Sequence, residues 1–175
     1  VYGAYVDSIA MFVVSGQVKR ETIAGEVDLP LRQLGDQEVD IVSMSAPVTK
    51  YSVLISDPND IGYELEKAYK IATEGRPGPV WLDIPIDVQA AKIDPDKLKK
   101  FNGPGEDSLQ KNAWHGDINE ISGQSCLFSK ASEIIGLIKK AKRPVILVGT
   151  GIGISNSTEL FDRIADKLSI PVVTG

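Results

Sequence analysis

Gly75-Arg76-Pro77-Gly78-Pro79-Val80-Trp81-Leu82-Asp83-Ile84-Pro85-Ile86-Asp87-Val88-Gln89 is the stretch whose reading decides the fold. Its first part is a proline-locked turn. Gly75 can leave a helix with positive φ, while Pro77 and Pro79 fix their own φ and remove two amide donors. Its second part, Val80 to Ile84, is too short for a helix and rich in strand-forming residues. Its third part is a stop, because Pro85 cannot donate to a sheet ladder. Helix, glycine turn, buried strand and polar exit together punctuate a parallel α/β unit.

Upstream, Asp57-Pro58-Asn59-Asp60 marks a helix start: Asp57 can cap, Pro58 takes the first helical position, and Asp60 puts negative charge in the first turn. Ile61, Leu65, Ala68, Tyr69 and Ala72 follow at helical spacing and predict the buried face of a helix ending near Gly75. Further back, residues 1–8 read as a helix end. Residues 9–15, a continuous apolar run, predict a strand buried on both faces. Gly16-Gln17 begins a loop at that strand's carboxyl end, where ligands gather in open parallel sheets, so Gln17 is a candidate cofactor contact. Residues 19–36 read as an irregular crossing segment. Residues 37–46 predict a short helix stopped by Pro47, with Val39, Ile41, Val42 and Met44 as its apolar contacts. Residues 51–55 predict a strand or extended connector.

Downstream, residues 91–128 lose periodicity and turn rich in Pro, Gly, Lys and Asp, which predicts an interdomain linker with a short helical turn at 94–100. Trp114, Leu127 and Phe128 are its candidate anchors. Ser129 then caps a helix with Ala131, Ile134, Ile135, Ile138 and Ala141 on one face. Pro144 to Val148 predicts a buried strand. Gly149-Thr150-Gly151-Ile152-Gly153 predicts a glycine turn, Asn156 with Glu159 a capping pair, and Ile170 to Thr174 the next strand. Strand, helix and strand imply a parallel crossover. The fold class is therefore α/β, with parallel sheets in two parts.

Composition bounds the function. The chain has 175 residues, is 42% hydrophobic and 25% charged, and carries a net charge of −5. An acidic chain has no basic field to collect phosphate, which argues against nucleic acid as a partner. The single cysteine, Cys126, excludes an intrachain disulfide and fits a reducing, cytoplasmic setting. No apolar run approaches the about 18 residues needed to span a bilayer. The lone His115 has no ligand set around it, so no metal site is expected. Val1 reads as the tail of a helix and Gly175 directly follows a strand, so the chain is expected to be a fragment of a longer protein.

GRPGPVWLDIPIDVQ, together with Ala4-Tyr5-Val6-Asp7-Ser8, Val13-Val14-Ser15-Gly16-Gln17-Val18, Gln37-Glu38 and Pro47-Val48-Thr49-Lys50-Tyr51, resembles the end of the pyrimidine-binding domain of thiamine-diphosphate-dependent enzymes of the acetolactate synthase type. Arg143 to Gly149 and Ile170 to Val173 resemble the opening of that family's central domain. The resemblance implies a division at 1–90, 91–128 and 129–175: the later part of the pyrimidine-binding domain, a linker, and the start of the central domain. It implies thiamine diphosphate and Mg2+ in the full-length parent, which would decarboxylate a 2-keto acid and pass the adduct to an acceptor. It also implies a homodimer or homotetramer, because the family's active sites form between subunits.

Read on its own, Gln37-Glu38 is either a hydrogen-bonding pair at a loop-to-helix junction or a Glu38 that merely favours a helix start. The resemblance makes Gln37 the catalytic candidate, near the reactive carbon of the cofactor, and Glu38 a cofactor contact. Gly149-x-Gly151 after a strand is either a tight turn or a phosphate site; a dinucleotide fingerprint fails because its third glycine falls at Ile154. The resemblance matches Gly149 and Gly151 to a turn near FAD, which some members hold and others lack. Lys50 is either a buried ion-pair partner or a structural lysine. The activating glutamate is expected before Val1 and the metal motif beyond Gly175, so no cofactor is expected on this chain alone. A non-catalytic nucleotide-binding or interaction module of the same fold is the alternative. Two positions depart from acetolactate synthases: Ile86 replaces a lysine, and Asp36 replaces a phenylalanine.

Overall fold

The computed structural model describes residues 1–28, 30–102 and 124–175. His115, Trp114 and the side chain of Cys126 lie outside the described residues. The chain divides into two compact units, Val1–Trp114 and His115–Gly175.

The first unit is built on a three-stranded parallel sheet in the order β1-β3-β2. The strands are β1 (Met11–Gln17), β2 (Tyr51–Leu54) and β3 (Pro79–Pro85). Helix α1 (Tyr2–Val6) precedes β1, α2 (Ile41–Ser45) precedes β2, and α3 (Ile61–Thr73) joins β2 to β3. The short α4 (Ile86–Gln89) follows β3 directly, although Pro85 read as a simple strand stop.

The central strand holds the core. Val80 and Leu82 are fully buried and pack with Tyr51, Ile55, Ala68, Ala72 and Val88. Asp57 caps as expected: its carboxylate accepts from the Asn59 amide, and a 3-10 turn at Pro58–Asp60 leads into α3. At the other end Gly75 takes φ +65, so the left-handed exit from α3 is met by the residue that tolerates it. Lys50 lies half-buried beside this exit. Its Nζ donates to the Glu74 carbonyl at 2.7 Å, and burial lowers its pKa.

Three sequence expectations fail in this unit. The first is the burial of 9–15. β1 runs to Gln17 and lies at the sheet edge among the described strands, with Phe12 and Val14 exposed. Register pairs Phe12 with Val80 and Val14 with Leu82, yet only the central partners are fully buried. The second is the inner face of α3. Leu65 and Tyr69 are exposed, whereas Lys67 is buried with its Nζ 4.6 Å from the Tyr51 ring centroid and 5.5 Å from that of Tyr63. A lysine stem thus takes the place of an apolar side chain, its charge held over aromatic faces. Val39 and Met44 are likewise exposed rather than packed.

Residues 98–101 lie along α3. The Phe101 ring meets Tyr63 edge-on at 5.4 Å, and the Phe101 amide donates to Glu66 at 2.7 Å. A 3-10 turn at Pro95–Lys97 stands where a helical turn was expected.

The second unit contains α5 (Gln124–Lys140), β4 (Ile146–Val148), α6 (Gly151–Ile154), α7 (Thr158–Leu168) and β5 (Val172–Thr174), with β4 and β5 parallel. Helix α5 begins five residues before the expected Ser129 cap. Ser157 occupies the N-cap of α7 without a side-chain capping bond, so Asn156 and Glu159 do not form the expected pair. Asn156 takes φ 53 instead and serves the turn between α6 and α7. The apolar residues Ile134, Ile135, Leu160 and Ile164, expected to face inward, are exposed, as are the candidate anchors Leu127 and Phe128.

Candidate functional site at the carboxyl edge of the first sheet

Parallel register places Ser15 beside Asp83 and Gln17 beside Pro85, so the side chains of Ser15, Gln17, Trp81 and Asp83 share one face near the strands' carboxyl ends. Asp83 is 1% exposed. Its carboxylate accepts from Ser15 Oγ at 2.5 Å and from Gln17 Nε2 at 2.8 Å. Ser15 Oγ accepts in turn from Trp81 Nε1 at 2.8 Å. Gln17 Nε2 also donates to the Val39 carbonyl at 2.8 Å, and Gln17 Oε1 accepts from the Val18 amide at 3.0 Å. Both donors of this amide are thereby used, and Gln17 braces the strand end against the 35–40 loop.

Glu38 organises that same loop. Its carboxylate accepts backbone N–H bonds from Ala24 at 2.6 Å, Leu34 at 2.7 Å and Gly35 at 3.1 Å. These bonds, the Leu34 amide foremost and the Ala24 amide next, hold its pKa below the ordinary value. A Cβ at Gly35 would stand 3.0 Å from both the Thr22 carbonyl and Val18 Cγ2, tighter than ordinary contact, so glycine suits the point where the loop closes on residues 18–22. Asp40 caps α2 through the Ser43 amide at 2.9 Å. Gln37 sits between these fixed points and is exposed.

Beside the loop, Lys19, Arg20, Glu21, Ser56 and Asp87 line an open cavity of about 540 Å3. Arg20 Nε donates to Asp87 at 2.7 Å, its backbone amide to the same carboxylate at 3.1 Å, and its Nη1 to the Ser56 carbonyl at 2.7 Å. The Arg20 side-chain bond is the main cause of the lowered pKa of Asp87. Ile86, the first residue of α4, is 57% exposed next to this pair.

In the second unit, Gly149 lies between β4 and α6, and Gly151 opens α6. A Cβ at either position, or at Gly153, would meet no atom within 4 Å, so backbone is open to approach there. Among the described residues no group of His, Cys, Asp or Glu could hold a metal ion. No helix among them is long and apolar enough to cross a membrane.

Asp83, Ser15 and the Arg20–Asp87 pair were not singled out from sequence. The signal for Asp83 was present: a lone carboxylate inside the apolar run Val80–Ile84 needs a partner when buried. Arg20 carried no such signal, because its partner lies 67 positions away.

Comparison with known proteins points one way. The description "Thiamine pyrophosphate enzyme, central domain" matches residues 131–175. The acetolactate synthase large subunit of Lactococcus lactis is 32% identical over 98% of this chain and 26% of its own length. The mitochondrial acetolactate synthase catalytic subunit of Saccharomyces cerevisiae is 32% identical over 98% of this chain and 23% of its own length. This chain resembles thiamine-diphosphate-dependent enzymes over nearly its whole length. The likeness is to acetolactate synthase large subunits, of whose length this chain spans about a quarter. A solved Mycobacterium smegmatis structure, described as a thiamin diphosphate-dependent enzyme, superposes with a TM-score of 0.59 at 21% identity, covering 99% of this chain and 29% of that one. It shows the same fold. Toward thiamine diphosphate, this chain offers an exposed amide and open glycine backbone among its described residues, but no acidic or imidazole cluster for a metal.

Proposed function

We propose that this chain is part of an enzyme that uses thiamine diphosphate to decarboxylate a 2-keto acid and transfer the product to an acceptor. The observation that carries this reading is the placement of Gln37: exposed at the carboxyl edge of a parallel sheet, on a loop pinned by Glu38 and Gln17. Bound thiamine diphosphate would supply an electron sink for the carbanion left by loss of carbon dioxide. The chain's own contribution is positioning. Gln37 can donate and accept hydrogen bonds at the reacting centre, and the braced loop holds that amide in place before substrate arrives.

Gln17 and Glu38 serve the cofactor indirectly in this reading, since Gln17 is held by Asp83, Val18 and Val39, and Glu38 by the amides of Ala24, Leu34 and Gly35. Gly149 and Gly151 are the proposed approach to an FAD in the second unit. Residues 1–90 and 129–175 are proposed as parts of the pyrimidine-binding and central domains, with 91–128 between them. The longer enzyme is proposed to be a cytoplasmic homodimer or homotetramer with Mg2+ held by residues outside this chain.

The test is 2-keto acid decarboxylation by the longer protein that carries this chain, supplied with thiamine diphosphate and Mg2+. Loss of one hydrogen bond near the reacting carbon is worth about 1–3 kcal/mol, so Gln37→Ala is expected to lower kcat about 5- to 150-fold. Unchanged kcat in that variant would refute the role of Gln37. Nucleotide binding with no turnover of any 2-keto acid would favour the non-catalytic module.

A further inference from the structure

Asp83 is the most buried carboxylate at the site, and the reading above gives it no direct role. Its two partners separate two jobs. Ser15, at 2.5 Å, belongs to the neighbouring strand and passes the contact back to Trp81. Gln17, at 2.8 Å, reaches forward, and the same Nε2 holds the Val39 carbonyl two residues beyond Gln37. A planar amide fixed at Oε1 by the Val18 amide and at one N–H by Asp83 has its second N–H aimed without freedom. A buried carboxylate needs charge-assisted donors, and their fixed direction makes it a firm anchor.

From this geometry we infer that Asp83 is a positioning residue: through Gln17 it sets the 35–40 loop and hence the place of Gln37. The inference rests on the role proposed for Gln37, but the tether itself can be measured without cofactor.

Asp83→Asn replaces one of the two acceptors by a donor and removes the charge that Ser15 Oγ and Gln17 Nε2 share. The double variant Asp83→Asn with Gln17→Glu restores an amide–carboxylate bond between the strands with the roles reversed. It leaves the Val39 carbonyl facing an acceptor, so strand pairing and loop tether come apart. In the longer protein that carries this chain, Asp83→Asn is expected to lower the denaturation midpoint and to raise amide hydrogen exchange across residues 35–40 at least 10-fold. The double variant should regain the midpoint while exchange in 35–40 stays raised. Gln17→Met, which keeps the side chain's length and removes both donors, should raise the same exchange and serves if Asp83→Asn does not fold. In the longer protein the double variant should keep kcat depressed with KM little changed.

If loop exchange recovers together with the midpoint in the double variant, Asp83 is only a strand-pairing residue and the inference falls. The same holds if exchange in 35–40 is unchanged in all three variants. If the loop loosens while kcat stays at the wild-type value, the tether stands and the role of Gln37 is what fails.

Discussion

Glu38 shows how a residue can sit in a legible motif and do something the motif did not announce. Sequence placed Gln37-Glu38 at a loop-to-helix junction, and the resemblance gave Glu38 a cofactor contact. Its carboxylate gathers the amides of Ala24, Leu34 and Gly35, and the first of these comes from 14 positions away, beyond any local spacing. The consequence is a pH dependence with a definite sign. The folded pKa of Glu38 lies below its ordinary value of 4.5. The stability these bonds contribute is therefore fully present above about pH 4.5 and is lost as pH falls through the lower folded value. Protection of the three amides against hydrogen exchange, corrected for intrinsic rates, should decline below about pH 4.5 before the β3 core opens. Glu38→Gln, which can no longer offer two charged oxygens, should show the weakened protection at neutral pH and a flat profile down to pH 4. A wild-type profile in that variant would mean that other carboxylates hold the loop. Asp83 makes the complementary point. Its identity as a polar residue in a buried strand was readable, while its partners were not, because register between β1 and β3 is a property of the folded sheet.

Among the elements, β3 and its glycine turn were read closely from sequence, and β1 was not. Both are apolar runs of strand length. Periodicity cannot tell a central strand from an edge strand when both are continuous apolar stretches, since burial depends on what the rest of the sheet supplies. The difference is measurable. Leu82 is fully buried in the core, so Leu82→Ala should destabilise the chain by about 2–5 kcal/mol. Val14 on β1 is 56% exposed, so Val14→Ala should stay within about 0.5 kcal/mol. Equal losses in denaturant unfolding would show that β1 is covered after all. Gly75 offers a second check on the same element. Its φ of +65 puts any side chain in the left-handed region, so Gly75→Ala should cost about 1–2 kcal/mol although no atom lies within 4 Å of the added carbon. A neutral effect there would mean that the α3 exit relaxes to negative φ. Helix α3 was legible in its ends and wrong in its inner face, because Lys67 takes an apolar residue's place over the rings of Tyr51 and Tyr63.

For the whole molecule, the α/β class and the family were legible because short punctuated strands recur in a specific order, while the substrate depends on a few side chains around the site. With no metal-ligating cluster among the described residues, calorimetry of the 175-residue chain with thiamine diphosphate and Mg2+ should give no saturable heat, and micromolar binding would contradict this. The substrate of the longer enzyme is expected to turn on Ile86 and Asp36. Ile86 stands exposed beside the Arg20–Asp87 pair, where the resemblance places a lysine. The two cations near it do not replace that charge. Arg20 is committed to Asp87 at 2.7 Å, and Lys19 lies 3.8 Å from Glu21, so each faces a carboxylate. Asp36 is exposed on the Gln37 loop, its backbone carbonyl accepts from Gln33 Nε2 at 2.9 Å, and its side chain carries negative charge where the resemblance places an apolar wall. An anionic second keto acid then meets one lost attraction and one added repulsion. At about 1–3 kcal/mol for each, the two together shift preference several tens-fold or more. The longer protein should therefore be a poor acetolactate synthase that favours a neutral acceptor over a second pyruvate. Ile86→Lys with Asp36→Phe should raise acetolactate formation from pyruvate by at least 10-fold, chiefly through a lower KM for the second pyruvate. The rate should fall steeply with added salt in that variant, since a restored exposed cation attracts through a screened field. Efficient acetolactate formation by the wild-type protein, or no change in the double variant, would show that these two positions do not set the acceptor.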